Sequence, residues 1–417
     1  MKKYTFFLLV LSIISSIIIL VTKKTPLYEC TDSIGCLNIA PNQPVKFAII
    51  QALTGKVAFL GNEQIRGIEL AVAKRNGQIL GHSIKFQKEN SFCTSEGGTI
   101  AAMKVAADPE IAAVFGTTCS EAAITAAKII SGAGMVMISG NNSAPSLTSS
   151  GGKQSPDWRP GYFRTSFNDD LSGKAAAAFA VHNLNIKKAA IINDGDVYTR
   201  GLTNGFYHAF SQLGGKIVLD TAINKGDKNM IPVLKAVASS GAELLFFPLF
   251  QPEGDYMVQQ SKNVSGLENI ILMGNGALLT DTFISSVKSD GIGMYFVGPG
   301  LCRGVGYENL EAEYKKTYKK SPPTTYYSYA YDAANLLMNA IETVAEKENN
   351  GTLHIPRDKL RKAMYNTKNL KGVSGILNCN QFGDCGAARF NIMRLENPEA
   401  GIEGLKSNIV YTFIPAN

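Results

Sequence analysis

Short apolar runs alternate with amphipathic stretches from Val45 to Met273, and that rhythm leaves this 417-residue chain few folds to choose from. Val45–Gln51 reads as a strand turned by Leu53-Thr54-Gly55, after which Ile65, Ile68, Leu70, Ala71 and Val72 recur at helical spacing. The pattern continues as strand 84–86, helix 99–107, strand 112–115, helix 122–130 and strand 135–138. A turn-rich stretch over 139–160 interrupts it. It then restarts with strands 162–165, 189–192, 217–219, 244–248 and 270–273, separated by helices 171–184, 202–213, 231–238 and 253–262. Near-continuous apolar strands are buried on both faces, which requires a parallel sheet with helices on either side. Two such units in succession predict an α/β protein of two doubly wound lobes. Residues 326–347 read as a long helix, and strands and turns are expected after Gly372.

The N-terminus carries a topological signal. Lys2-Lys3 precede an apolar run from Tyr4 to Val21 that spans roughly 27 Å as a helix. No A-x-A-like cleavage site follows it, and the residues before Cys30 are not those of a lipoprotein signal. An uncleaved membrane anchor over residues 1–24 is favoured over a removed signal, and either one exports the rest. Seven cysteines suit an oxidising compartment. Six fall into close pairs, Cys30 with Cys36, Cys93 with Cys119 and Cys379 with Cys385, whose loops are feasible disulfides. Zinc is the competing reading, but no C-x-x-C occurs and none of the four histidines is near a cysteine pair. Cys302 is left over as a buried thiol. The net charge of +7 is scattered in singles and pairs, without the basic stripe that nucleic-acid binding needs.

In open parallel sheets ligands bind at the carboxyl ends of strands. Those ends carry Gly116-Thr117-Thr118-Cys119-Ser120-Glu121, Ser139-Gly140-Asn141-Asn142-Ser143, Asn193-Asp194-Gly195-Asp196-Val197-Tyr198, Leu249-Phe250-Gln251 and Gly274-Asn275-Gly276. Ser120 reads as a helix N-cap beside free backbone N–H groups that favour an anion such as a carboxylate. The 141–143 loop is dense in hydroxyl and amide groups, and it also reads as a plain solvated turn. Asp194 and Asp196 offer carboxylates, or only satisfy backbone donors in a tight turn. Phe250 is as readily a core residue. Their shared sheet edge is what favours a site. No G-x-S-x-G elbow, phosphate-cradling loop or dinucleotide fingerprint occurs, and no histidine falls at a strand end, so catalysis is not expected.

Three stretches, ALTGKVAFLGNEQIRGIELAV (52–72), NSFCTSEGGTIAAMKVAADPEIAAVFGTTCSEAAITAAKIISGAGMVMIS (90–139) and IINDGDVYTRGLTNGF (191–206), resemble the leucine/isoleucine/valine-binding family. These are the periplasmic solute-binding proteins of branched-chain amino acid ABC transporters, and the resemblance runs from Val45 to about Val410. It implies a clamshell, the type I periplasmic binding fold, whose lobes are joined by three crossovers near Thr165, Gly298 and Gly383. The implied lobes are 45–164 with 299–383, and 165–298 with 384–417, after a spacer over 25–44. The resemblance also implies a Cys93–Cys119 disulfide. It assigns Ser120 and Ser143 to the ligand's carboxylate and ammonium, a backbone carbonyl near Asn141, and Tyr198 as the aromatic that closes over the ligand.

Two positions depart from the family pattern. Asn275 stands where an acidic residue pairs the ligand ammonium, and Leu60 where an aromatic is expected. Either Asp194, Asp196 or Glu121 supplies the missing charge, or the ligand is not an α-amino acid. The expected site is therefore Ser120, Asn141, Asn142, Ser143, Asp196, Tyr198, Phe250 and Asn275, with no metal and no cofactor. The expected function is the substrate-capturing component of an ABC importer, with a membrane permease and ATPases as partners and an amino acid, amide or small organic acid as ligand. Its place would be the periplasm or the outer face of the cytoplasmic membrane. A ligand sensor of the same fold is the alternative, disfavoured because so little sequence precedes the apolar run.

Overall fold

In the computed structural model, which describes residues 28–300 and 302–415, the chain forms two α/β layers in succession. The apolar run at 4–21 lies outside the described residues, and no described helix is long and apolar enough to cross a membrane. A first strand, β1 (Cys36–Ile39), is followed by β2 (Val45–Gln51), α1 (Ala58–Lys74), β3 (Gln78–Ile79), β4 (His82–Asn90) and α2 (Ser95–Ala106). Then come β5 (Ile111–Gly116), α3 (Ser120–Gly132), β6 (Val136–Ser139) and β7 (Tyr162–Arg164). They form a six-stranded sheet in the order β3-β4-β2-β5-β6-β7, parallel except for the short edge strand β3.

The rhythm of the sequence explains the packing of β2. Phe47 and Ile49 point into one apolar cluster with Ile65 and Ile68 of α1, while Ala48 and Ile50 point into the other with Ala101, Val105, Ala123 and Ala127. A strand so placed has no solvent face, which is why its sequence shows no polar alternation. Gly61 of α1 lets that helix lie on the turn after β2, where a Cβ would stand 2.1 Å from the Ala52 carbonyl oxygen.

The second sheet begins after α4 (Asp169–His182). It contains β8 (Lys188–Asn193), β9 (Lys216–Ala222), β10 (Leu244–Phe246), β11 (Ile271–Asn275) and β12 (Tyr295–Pro299), interleaved with α5 (Val197–Gln212), α6 (Ile231–Ser240), α7 (Glu253–Ser261) and α8 (Asp281–Val287). The chain returns to the first lobe for α9 (Val305–Tyr318), α10 (Tyr326–Val344), β13 (Leu353–Pro356) and α11 (Arg357–Tyr365). It then crosses back for β14 (Phe390–Arg394), α12 (Gly401–Ser407) and β15 (Ile409–Phe413). The seven-stranded order is β9-β8-β10-β11-β12-β14-β15. Five strands run parallel, and β14 and β15 add antiparallel pairs that the repeat pattern does not foreshadow. Strand β8 mirrors β2, with Ala190 and Ile192 facing one cluster and Ala189 and Ile191 the other.

The lobes meet at three strand-to-helix or strand-to-strand passages. Arg164 at the first lies beside Asp384 at the third, with Arg164 N–H donating to Gly383 O at 2.9 Å and Cys385 N–H to Arg164 O at 2.9 Å. Disulfides join Cys30 to Cys36, Cys93 to Cys119 and Cys379 to Cys385, and Cys302 is free. Burial pushes the Cys302 thiol up to about 11. Two expectations are corrected here. The segment after Gly372 contains the helix α12 as well as strands and turns. One histidine does fall at a strand end: His82 opens β4, at its amino end and not at the carboxyl end, and its ring nitrogens bond the Gln43 and Gly351 carbonyl oxygens.

Candidate functional site

Parallel strands place all their carboxyl ends at one edge, so the loops after β5, β6, β8, β10 and β11 are brought to the space between the two sheets. One cleft is lined there by residues of both lobes. Thr118, Cys119, Ser120, Asn141 and Ser143 come from the first, and Asp196, Tyr198, Phe250, Gly276, Ala277 and Thr280 from the second. Phe59 and Leu60 at the start of α1, and Thr324 and Tyr326 at the start of α10, complete the wall.

The first-lobe side is built by a hydrogen-bonded scaffold. Ser139 Oγ accepts from the backbone of Asn141 at 3.0 Å and of Asn142 at 2.9 Å and donates to Thr117 O at 2.9 Å, so one hydroxyl ties the two loops together. Asn141 Nδ2 donates to Thr118 O at 2.8 Å. Thr118 Oγ1 donates to Gln51 Oε1 at 2.6 Å and accepts from Ala52 N–H at 2.9 Å, which fixes the loop after β2 as well. Asn142 is not on the cleft wall. It is buried behind it, accepting from Thr117 N–H at 3.1 Å and from the Tyr162 hydroxyl at 3.1 Å, and so acts as scaffold.

Ser120 departs from its expected role too. Cys119 is the N-cap of α3 and Ser120 is its first helical residue. The Ser120 hydroxyl accepts from Ala144 N–H at 3.2 Å, across to the neighbouring loop. The first N–H groups of α3 have no intrahelical partner and stand at the cleft, a setting that favours a carboxylate.

On the second lobe, Asp196 caps α5 by accepting from Tyr198 N–H at 2.8 Å, and its other oxygen lies 2.6 Å from Lys225 Nζ. Asp194 is withdrawn into the turn, accepting from Thr199 Oγ1 at 2.5 Å. Tyr198 stacks obliquely on Phe250 with ring centroids 5.3 Å apart. Asn275 lies behind Tyr198 rather than on the wall, donating from Nδ2 to the Tyr198 hydroxyl at 2.9 Å.

Sequence reasoning missed several contributors, Phe59, Thr118, Ala277 and Thr280 among them. Thr324 and Tyr326 arrive with the second return crossing, so no strand-end rule points to them. Glu63 of α1 sets them in place, accepting from Thr324 Oγ1 at 2.7 Å and from Tyr327 N–H at 3.1 Å. Burial raises the Glu63 carboxyl to about 7 despite those bonds. Another is Asp169, in the first turn of α4, which lies behind the cleft wall and bonds Ser143 through both backbone and side chain. Burial raises its carboxyl to about 7, with the Ser143 bond and the Arg164 charge pulling the other way. Its Oδ2 is buried and has no partner among the described residues. An acidic pair opening a helix beside a polar loop is the signal that could have flagged it.

The lining residues include one carboxylate, Asp196, and no Lys, Arg or His. A carboxylate in this cleft would be held by hydroxyls and helix N–H groups, and an apolar body by Phe59, Leu60, Tyr198, Phe250 and Tyr326.

Residues 44–389 match the periplasmic binding protein family. The chain belongs to that family. As a periplasmic binding protein it is an exported protein. A Leu/Ile/Val-binding protein of Rhizobium johnstonii is 24% identical over 367 residues, 87% of this chain and 95% of the relative. Among solved structures, a leucine-binding protein of Thermotoga maritima superposes with a TM-score of 0.76 at 22% identity, covering 89% of this chain and 99% of the other. A solute-binding protein of an ABC transporter from R. palustris, in complex with 4-hydroxybenzoate, gives 0.74 at 18% identity over 90% and 98% of the two chains. These structural likenesses establish the type I periplasmic binding fold for the described residues.

Proposed function

We infer that this periplasmic binding protein captures a small carboxylate-bearing molecule with an apolar body and presents it to the permease and ATPases of an ABC importer, without chemically altering it. The observation that carries the reading is the single cleft in which Ser120 and Ser143 of one sheet face Tyr198 and Phe250 of the other. Closure of two rigid lobes makes contacts that neither lobe makes alone, so ligand binding shifts the population toward the closed form. The apolar run at 4–21 would hold the clamshell at the membrane beside its partner.

Within that class an α-amino acid with an apolar side chain fits best. The carboxylate subsite is the Ser120 hydroxyl with the N-terminus of α3. For the ammonium, Asn275 contributes no charge and Asp196 is already paired to Lys225. We assign the ammonium's counter-charge to Asp169, which lies behind Ser143 of the cleft wall and whose Oδ2 has no partner among the described residues. Aromatic acids like the ligand of the R. palustris protein fill the same apolar wall but leave Asp169 unpaired.

Thermal denaturation of the full-length protein tests this against leucine, isoleucine, phenylalanine, 4-hydroxybenzoate and small amides. A ligand at one hundred times its dissociation constant stabilises the folded form by about 2.7 kcal/mol. Ser120→Ala and Tyr198→Ala should abolish the shift while the unliganded melting temperature stays near wild type. A shift that survives in both variants places the ligand elsewhere.

A further inference from the structure

On one rim of the cleft a single lysine touches both lobes. Lys225 follows β9, in a turn fixed to its own lobe by Asn224 N–H to Asp227 Oδ2 at 2.8 Å and Gly226 N–H to Glu253 Oε1 at 2.7 Å. Its Nζ lies 2.6 Å from Asp196 Oδ2 in the same lobe and 2.8 Å from Glu121 Oε2 in the first turn of α3 in the other. Partial burial works against the ammonium, but the two carboxylates outweigh it and raise the Lys225 pKa.

We propose that Lys225 is a positioning residue for the closed clamp, an electrostatic latch that joins Glu121 across the cleft to Asp196 on the cleft wall. Geometry gives the sign. Remove the cation and two carboxylates from opposite lobes are left facing each other, so closure gains a repulsion as well as losing an attraction. The pair with Glu121 exists only when the lobes are together, since Glu121 and Lys225 belong to different sheets. The side chains of Lys225 and Glu121 are 49% and 30% exposed, so the effect is that of a partly screened pair, about two- to fivefold in the open-to-closed ratio. The inference rests on reading the cleft as a closing clamp but not on which ligand it takes.

Hydrogen–deuterium exchange of the full-length protein without ligand tests it, reading the amides of 194–198 and 117–121 against those of 45–51 in the core. The informative variant is Glu121→Gln, which leaves the Lys225–Asp196 pair intact. It should speed exchange at 194–198, in the lobe it does not belong to, by about two- to fivefold. Lys225→Met should speed both rim segments, Lys225→Arg should match wild type, and 1 M NaCl should reproduce the loss in the wild-type chain, where screening falls to about 3 Å. Wild-type exchange at 194–198 in Glu121→Gln, or indifference of the wild-type chain to salt, overturns the latch. The salt comparison decides the matter even if a variant does not fold. Because no ligand is used, failure to bind any tested compound would count against the functional reading and leave this measurement standing.

Discussion

Asn275 Nδ2 donates to the Tyr198 hydroxyl at 2.9 Å, and Asn275 Oδ1 is left buried with no partner among the described residues. An unpaired buried acceptor is costly, on the order of 1–3 kcal/mol. Its neighbour Tyr198 lines the cleft, so a ligand donor reaching past the ring would relieve that cost. The amide therefore stands where the family resemblance implies a carboxylate, still accepting but without the charge.

Restoring the charge is a direct test. Asn275→Asp should tighten binding of a ligand that carries an ammonium by at least about tenfold, the scale of a charge-assisted bond. It should weaken binding of a plain carboxylic acid by repulsion. Titration calorimetry with an amino acid and with 4-hydroxybenzoate separates the two, and equal changes for both would remove Asn275 from the recognition of charge.

The buried carboxyls of Asp169 and Glu63 give the protein a pH dependence of known sign. Both are raised to about 7, above the usual carboxylate range, so the folded state holds more protons than the unfolded chain between about pH 4 and 7. Their contribution to stability is fully present below pH 4 and is lost as pH rises through 7. Asp169→Asn and Glu63→Gln should each flatten the decline in melting temperature over that window. An ammonium-bearing ligand should in addition expel a proton from Asp169, seen at pH 6 as a binding enthalpy that changes with the ionisation enthalpy of the buffer. Asp169→Asn should remove that buffer dependence.

The fold was largely legible because its strands are buried on both faces, so that apolar runs such as Val45–Gln51 and 189–192 declare a parallel sheet without ambiguity. The strand-end rule then found Ser120, Asn141, Ser143, Asp196, Tyr198 and Phe250, which all reach one cleft. It placed Asn142 and Asn275 too far forward, because periodicity locates a loop but not which of its side chains faces in. Thr324 and Glu63 were invisible for another reason. They meet through a crossing between residues far apart in sequence, and no local pattern encodes that contact.

The Cys93–Cys119 disulfide ties the end of β4 to the loop that presents Ser120. It closes a loop across a separation of 26 residues, for which chain entropy predicts about 3–4 kcal/mol of stabilisation. Cys93→Ser with Cys119→Ser should lower stability by that amount in urea denaturation. Affinity should fall further than for a remote disulfide, because Cys119 is the N-cap of α3 and lines the cleft. Replacing Cys379 and Cys385 by serine is the control, and an equal loss of affinity there would show that the effect is global.

Where the crossings meet, Arg164 is fully buried and its Nε donates to Asp384 Oδ1 at 2.6 Å. Its Nη1 donates to Ala144 O at 2.8 Å and its Nη2 to Thr148 Oγ1 at 2.5 Å, so one guanidinium binds the third crossing to the loop that carries Ser143. Arg164→Leu leaves Asp384 without its counter-charge and takes the closest donor from Ala144 O and from Thr148 Oγ1, and should cost about 3–5 kcal/mol. The double change Arg164→Leu with Asp384→Leu should recover part of that loss, because an apolar pair carries no stranded charge. Chemical denaturation of the two variants measures it. If Arg164 also sets the separation of the lobes, the double variant will regain stability but not ligand affinity; recovery of both would reduce its role to holding the crossings together.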